Sequence, residues 1–358
     1  MHFFESKLLG SPLLPLAWLY GGVVRAHSAL YRSGILKQQR VNALVVSVGN
    51  VTVGGTGKTP FTAWLARELA NRGVNVGIVS RGYGRKSRGT VVVSNGKQIL
   101  ADVYESGDEP QLLALKTPGV PVIADEDRSR GCREAERHFD CTALLLDDAF
   151  QHHRLHRDVD IVLVNAQVGF GNAYLLPAGP LREPLRALRR ASQIVLTHCH
   201  SLEQAPELVA QIRRRSSAPL SCADYTFTGL ISPSGRRKSV DWLRGKRVVA
   251  VAGIANPHSF FQTLTRLEAV VTHTAAFVDH HWYTRRDVAR VRRLVRETRA
   301  QAVVTTEKDL VRLTPLLGDD THDWLALEAE LLPNPTFRLN WNNLIEQWQE
   351  ASQIASTG

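Results

Sequence analysis

The sequence predicts an α/β fold: a doubly wound, mostly parallel sheet with a second, smaller α/β domain. Three observations carry that expectation. Short apolar runs of strand length alternate with longer stretches of helical period. A glycine-rich turn joins the first such run to the first such helix. A second strand–helix alternation opens late in the chain, after a stretch rich in Gly, Ser and Pro.

The N-terminus is read first. Residues 8–24, LLGSPLLPLAWLYGGVV, carry no charge between Lys7 and Arg25. That length is at the short limit for a membrane span. Pro12, Pro15, Gly21 and Gly22 weaken it as a helix, and no A-x-A cleavage site follows. Leu, Trp and Tyr, followed by Arg25, His27, Tyr31, Arg32, Lys37 and Arg40, suit an interfacial anchor on an acidic leaflet. An ordinary packed helix and a true span are the other readings.

Ala43 to Gly49 is apolar and ends in glycine, as a buried parallel strand does. Thr59 to Arg72 has Phe61, Leu65 and Leu69 on one helical face, and Gly73 stops it. Val74 to Ser80 is the next strand. Val120–Ala124 (strand), Arg128–Phe139 (helix), Thr142–Leu146, Val159–Val164 and Gln193–Thr197 (strands) continue the pattern. A further βα unit opens at Arg247–Ala252, with a helix from about Pro257. Ala302–Thr305 is a strand and Glu307–Leu316 a helix. Thr226–Arg237, TFTGLISPSGRR, reads as the domain boundary. The expected division is therefore 1–38 (membrane-associating helical segment), 39–228 (nucleotide-binding domain) and 229–358 (smaller α/β domain).

The strongest local signal is Gly54-Gly55-Thr56-Gly57-Lys58-Thr59. It follows a strand and opens a helix, the setting in which a P-loop is credible. Glycines let backbone N–H groups turn toward phosphate oxygens, and the helix N-terminus adds positive charge. Lys58 is expected on the β/γ-phosphates of ATP and Thr59 on Mg2+. Thr52 stands where the full pattern wants glycine. Leu144-Leu145-Leu146-Asp147-Asp148, an apolar strand ending in acids, supplies the second metal group. A solvated strand-end acid capping the next turn is the plainer reading of that pair. Arg81, in a Gly-flanked loop after a strand, is placed to meet an anion, though Arg85, Lys86 and Arg88 also read as a solvated basic loop.

The formal charge of +10 leaves three partners open: nucleic acid, an anionic membrane or an anionic substrate. Sparse aromatics and the lack of a nucleic-acid motif disfavour the first. Four cysteines without C-x-x-C spacing indicate neither zinc nor a redox pair, and fit buried reduced thiols.

In this order, several stretches resemble the tetraacyldisaccharide 4′-kinase family of lipid A biosynthesis. They are Val48 to Pro60, Ser80-Arg81-Gly82-Tyr83-Gly84, Gly107-Asp108-Glu109-Pro110, Asp147 to His152, Leu175 to Pro184, Val251 to Pro257, Asp279-His280 and Thr305 to Leu310. The resemblance implies a P-loop NTPase-like fold and transfer of the ATP γ-phosphate to the 4′-hydroxyl of a tetraacylated disaccharide 1-phosphate. It implies work at the cytoplasmic face of the bacterial inner membrane, on a lipid substrate, with no nucleic acid and no obligate protein partner. Carried over by motif, Asp108 is the general base and His280 its partner. Glu183 supports magnesium with Thr59 and Asp148, and Arg81, Glu109, Gln151 and His152 meet substrate or phosphate. Asp108 also fits the cap of a helix starting near Glu109-Pro110. His281 blurs the histidine assignment, and Glu183 beside arginines also reads as a surface residue.

Two positions depart from the family pattern. Ala149 and Ala173 stand where glycine is usual, and alanine tolerates positive φ poorly. A GTPase or metallochaperone is the competing reading of the glycine loop. Thr306-Glu307-Lys308-Asp309 has the letters of a guanine-reading motif without its spacing.

Overall fold

A computed structural model describes residues 11–318 and 324–357 of the chain. The beginning of the segment expected over 1–38 lies outside the described residues. After a 3₁₀ turn (Ser11–Leu13) come α1 (Leu14–Arg32), β1 (Leu44–Gly49), α2 (Lys58–Asn71), β2 (Val76–Ser80) and β3 (Val91–Asn95). Next are α3 (Val103–Ser106), α4 (Asp108–Lys116), β4 (Pro121–Ala124), α5 (Arg128–Phe139), β5 (Ala143–Asp147) and β6 (Val159–Asn165). β7 (Gln193–Thr197), α6 (Pro206–Arg213), β8 (Leu220–Ile231), β9 (Arg237–Lys238) and β10 (Arg247–Ala252) follow. The last elements are α7 (Pro257–Arg266), β11 (Val270–Ala276), α8 (Arg285–Thr298), β12 (Ala302–Thr306), α9 (Glu307–Leu317), β13 (Trp324–Pro333) and α10 (Pro335–Thr357).

Two compact units divide the chain. One joins Met1–Phe61, Leu145–Tyr225 and Leu331–Gly358; the other joins Thr62–Leu144 and Thr226–Glu330. The stretch 229–358 is thus shared, its part up to Glu330 in the second unit and its part from Leu331 in the first.

In the first unit β1, β6, β7 and β8 run parallel, with Val46 opposite Val159, Ile161 opposite Gln193 and Ile194 opposite Leu220. Strands covered on both faces need apolar residues at nearly every position. The LVVSVG and QIVLT sequences of β1 and β7 meet that need and are buried throughout. Val162, Val164, Leu188, Leu196 and Phe150 pack in one core.

The second unit holds parallel β2 and β4, with β3 antiparallel at their edge. It also holds the parallel set β11, β10, β12 and β13. The period-2 alternation of β10 is visible in its cores. Val248, Ala250 and Ala252 pack with Phe260 and Leu264 of α7. Val249 and Val251 pack with Val291 of α8 and Leu313 of α9.

Thr226–Arg237, read as the domain boundary, begins where one cut between the two units falls, at Tyr225/Thr226. It forms the second half of β8 and its antiparallel return to β9, with Leu230 opposite Lys238 and Ile231 opposite Arg237. The Ser, Pro and Gly residues mark the hairpin turn, while Leu230 is buried in a core that the partly buried Phe227 packs against. The N-terminal prolines and glycines do not prevent a helix. Pro15 falls in the first turn of α1, where a missing N–H costs nothing. Gly21 is packed against Leu175, leaving no room for a side chain.

Candidate active site

The site residues fall into two constellations, one in each unit. The first is built on β1, which delivers the chain to the glycine loop. Asn50 Nδ2 donates to Thr56 Oγ1 at 3.0 Å, tying the loop's entry to its middle. Thr52 pairs with Leu181 as an isolated bridge, and the Val53 N–H donates to the Pro180 carbonyl at 2.8 Å. Position 52 is therefore extended backbone, which explains why it needs no glycine. Gly57 does: its φ is 82°, and a Cβ there would sit 2.7 Å from Leu331 Cδ2 and 3.0 Å from Tyr225 Oη. At Gly54 and Gly55 an added Cβ would meet nothing within 4 Å, so that side of the loop is open. The first helical residue of α2 is Lys58.

Asp147 ends β5 and is buried; its Oδ2 lies 3.5 Å from Thr59 Oγ1. Asp148 takes the left-handed conformation, with φ 51°. Its carboxylate is held by both Oδ atoms on Arg182, at 3.0 and 3.1 Å, and lies 3.7 Å from Lys58 Nζ. The tight turn expected at Ala149 is thus made one residue earlier, and Ala149 has no positive φ. Ala173 does carry one, 61°, as its departure from glycine warned.

Glu183 is buried. Arg190 grips it from two nitrogens, at 2.9 and 3.0 Å, and Gln151 Nε2 donates to it at 3.2 Å. Gln151 also donates to the Asn50 carbonyl at 2.8 Å, so the Glu183 cluster reaches the loop's base. His152 stands in the same turn. The neighbouring His153 has its pKa pushed down to about 4 by burial and by Arg190, against the pull of Glu183. The oxygens of Thr59, Asp147 and Asp148 are hard donors of the kind magnesium takes, together with phosphate and water. Among the described residues no cluster of three or more His, Cys, Asp or Glu could hold a metal without such outside ligands.

The second constellation begins at α4. Gly107 caps that helix, and Asp108 is its first residue rather than its cap. The Asp108 carboxylate is buried. Its Oδ2 lies 3.1 Å from His280 Nδ1 and 3.4 Å from a guanidinium nitrogen of Arg312. His280 has φ 57°, a left-handed conformation that histidine adopts more readily than most residues. Its Nε2 lies 3.0 Å from Lys308 Nζ, which also donates to Glu109 at 3.0 Å. An ammonium group only donates. Nε2 therefore accepts, which places the ring proton on Nδ1, facing Asp108. Burial works against an ionised Asp108, but the hydrogen bond from His280 and the charges of Lys308 and Arg312 outweigh it and hold its pKa below the ordinary value. His281 turns away to Asp287, at 3.2 Å.

Asp108 and His280, with Tyr83, Gly84, Asp279 and Trp282, line a cleft of about 440 Å³. The Tyr83 and His280 rings meet edge to face at 5.1 Å. Arg81 is exposed, whereas Arg85 is engaged by Glu126 and the Ala124 carbonyl, and Lys86 lies over the Tyr104 ring. The four-letter match at Thr306–Asp309 is a helix start: Thr306 caps α9, and Lys308 serves His280.

Sequence reasoning did not find Lys308, Arg312, Arg182 or Arg190. For the first two a signal existed: cations at i and i+4 share one face of a helix, here in EKDLVRLTPLL.

Comparison with known proteins gives a consistent result. The family model for tetraacyldisaccharide-1-P 4′-kinase matches residues 9–346. The tetraacyldisaccharide 4′-kinase of Anaeromyxobacter dehalogenans (strain 2CP-C) is 41% identical over 336 residues, covering 91% of this chain and 88% of the relative. The enzyme of the same name from Desulfatibacillum aliphaticivorans is 40% identical over 342 residues, covering 90% and 89%. A crystal structure of LpxK from Aquifex aeolicus in complex with ATP, described as an "apo" form, superposes with a TM-score of 0.76 at 33% identity. That match covers 95% of this chain and 99% of that one.

The loop geometry yields a direct expectation. Gly57→Ala forces a strained φ and a clash with Leu331, and should weaken ATP binding at least about tenfold. Titration calorimetry checks it; an unchanged dissociation constant contradicts the loop assignment.

Proposed function

Because the chain belongs to the tetraacyldisaccharide-1-P 4′-kinase family, we propose that it transfers the γ-phosphate of ATP to the 4′-hydroxyl of a tetraacylated disaccharide 1-phosphate, giving lipid IVA. The observation that carries the assignment of roles is the 3.1 Å contact of Asp108 with His280 in an open cleft.

Phosphoryl transfer asks for positioning and charge neutralisation rather than covalent chemistry. On the donor side, Lys58 and the α2 N-terminus face the growing negative charge. Thr59, Asp147 and Asp148 would hold magnesium, with Thr59 and Asp147 in contact with each other and Asp148 also reached by Arg182 and Lys58. Bound magnesium supplies further neutralisation of the β- and γ-phosphate oxygens. Glu183 supports this group through Gln151, which it shares with the loop's base. On the acceptor side, Asp108 takes the hydroxyl proton. A carboxylate with a depressed pKa is a weak base, yet it remains ionised and ready. The alcohol's proton becomes acidic only as the new P–O bond forms, so position matters more than intrinsic basicity. Arg81, Glu109 and His152 are assigned to phosphate or substrate contacts on their motif positions, and exposed Arg81 is the best placed for an anionic group.

The names of the relatives favour this kinase over a GTPase or metallochaperone. Lys58→Ala should lose more than about 2 kcal/mol of transition-state stabilisation. Asp108→Ala should lose at least about a hundredfold in kcat while ATP still binds. Both are measured with ATP, magnesium and the acylated disaccharide 1-phosphate, mapping the phosphorylated hydroxyl by NMR. Near-normal turnover in either variant, or phosphate at another hydroxyl, overturns the reading.

The site of action is the cytoplasmic face of the inner membrane, with α1 as a peripheral anchor. Support comes from its outward side chains: Trp18 is 72% and Leu19 68% exposed, and Leu16 and Val23 also face outward. Arg25, Arg32, Lys37 and Arg40 follow in the chain and are exposed, suited to acidic headgroups. Among the described residues no helix is long and apolar enough to cross a membrane. Trp18→Glu with Leu19→Glu should cut partitioning onto acidic phospholipid vesicles at least about tenfold without changing ATP affinity. Equal partitioning of the two forms contradicts the anchor.

A further inference from the structure

The base reading leaves unexplained why a fully buried arginine sits behind Asp108 and why a lysine faces the far side of its histidine. Both come from α9. Lys308 and Arg312 are four residues apart, so they project from one face of the helix toward the same pair. Arg312 is 1% exposed and its guanidinium spans three groups. One terminal nitrogen lies 3.4 Å from Asp108 Oδ2. The other donates to Asp309 and, at 3.0 Å, to the Gly253 carbonyl. That carbonyl also accepts the His280 N–H at 3.2 Å. Arg312 is therefore hydrogen-bonded to the backbone that carries the partner of Asp108, and stands in ion-pair contact with the carboxylate through a nitrogen that makes no hydrogen bond.

The anchor is itself built in. Asp309 accepts from Tyr283 Oη at 2.9 Å, from the Gly253 N–H at 3.0 Å and from Thr306 Oγ1 at 2.7 Å. A Cβ at Gly253 would lie 2.9 Å from Tyr283 Oη and 3.0 Å from Asp309 Oδ1, so the loop packs directly on this cluster. A buried arginine is costly unless paired, and here its pairing converges on the reacting carboxylate.

We infer that Lys308 and Arg312 are positioning residues. Together they form a two-cation support that holds Asp108 ionised and oriented and fixes His280 with its proton on Nδ1. This rests on Asp108 being the base. The charged groups facing Asp108 are Glu109 of α4, His280 and Asp279 of the loop after β11, and Lys308, Asp309 and Arg312 of α9. Burial opposes the charge of Lys308, but Glu109, Asp108 and Asp279 more than compensate and raise its pKa, so it stays cationic beside Nε2.

The sign follows. An ionised Asp108 is the active form, and its pKa is depressed in the folded protein. Removing a nearby cation raises that pKa, so activity is lost at a higher pH on the acid side. The test is the pH profile of kcat/KM for the full-length enzyme with ATP, magnesium and the acylated disaccharide 1-phosphate. Arg312→Met and Lys308→Met should each move the acid limb up by about one unit and lower kcat about tenfold or more, with the KM for ATP unchanged. Lys308→Arg and Arg312→Lys should return the limb toward the wild-type position. Lys308 is half-buried and outside the Asp309 cluster, so its variants decide the matter if Arg312→Met does not fold. An unmoved limb with undiminished kcat in the folded methionine variants overturns the support while leaving the base in place. Retained turnover in Asp108→Ala removes the base, and the inference with it.

Discussion

A single hydrogen bond between residues 172 positions apart organises the cleft of the second unit: His280 Nδ1 to Asp108 Oδ2. A carboxylate buried to this degree is stable as an anion only with partners. The fold supplies them from three segments. The start of α4 aims Asp108. The loop after β11, turned by the left-handed His280, presents the imidazole. α9 presents two cations from one face. None of the three has the arrangement without the others, and the strained φ at His280 persists because its N–H is tied to Gly253 and Asp279.

The donor half is organised by a different constraint, access for a polyphosphate. Its glycine loop is anchored at both ends, by Asn50 on Thr56 and by Val53 on Pro180, while Gly54 and Gly55 face open space. Side-chain charge is arranged in matched pairs: Asp148 with Arg182 and Lys58, Glu183 with Arg190. Both acids thus have cationic partners within the protein, and Asp147 has Thr59 Oγ1 beside it, 3.5 Å away.

Much of the fold was legible in the sequence because it is carried by strands buried on both faces and by helices with clear stops. β7, β10 and α5 fall at the residues read for them. The glycine loop and Asp147-Asp148 stand out in the sequence for another reason, since residue order alone fixes their spacing. The β8–β9 hairpin itself was not read, because its Ser, Pro and Gly residues drew attention to a boundary and the strand residues before them carry no clear period-2 pattern. Thr52 and Ala149 looked like defects because motif matching assumes where a turn falls; backbone pairing at Thr52 and the left-handed Asp148 remove the need for glycine. The Asp108–His280 pair was reached through family resemblance. Lys308 and Arg312 were not reached at all, because their meaning depends on contacts that sequence distance conceals.

The central claim is tested most directly by the protonation of one ring. In protein labelled with ¹⁵N at histidine, with His280→Gln to assign its signals, His280 should carry a proton on Nδ1, facing Asp108. A ring protonated at Nε2 alone would contradict a carboxylate–imidazole pair held between Asp108 and Lys308.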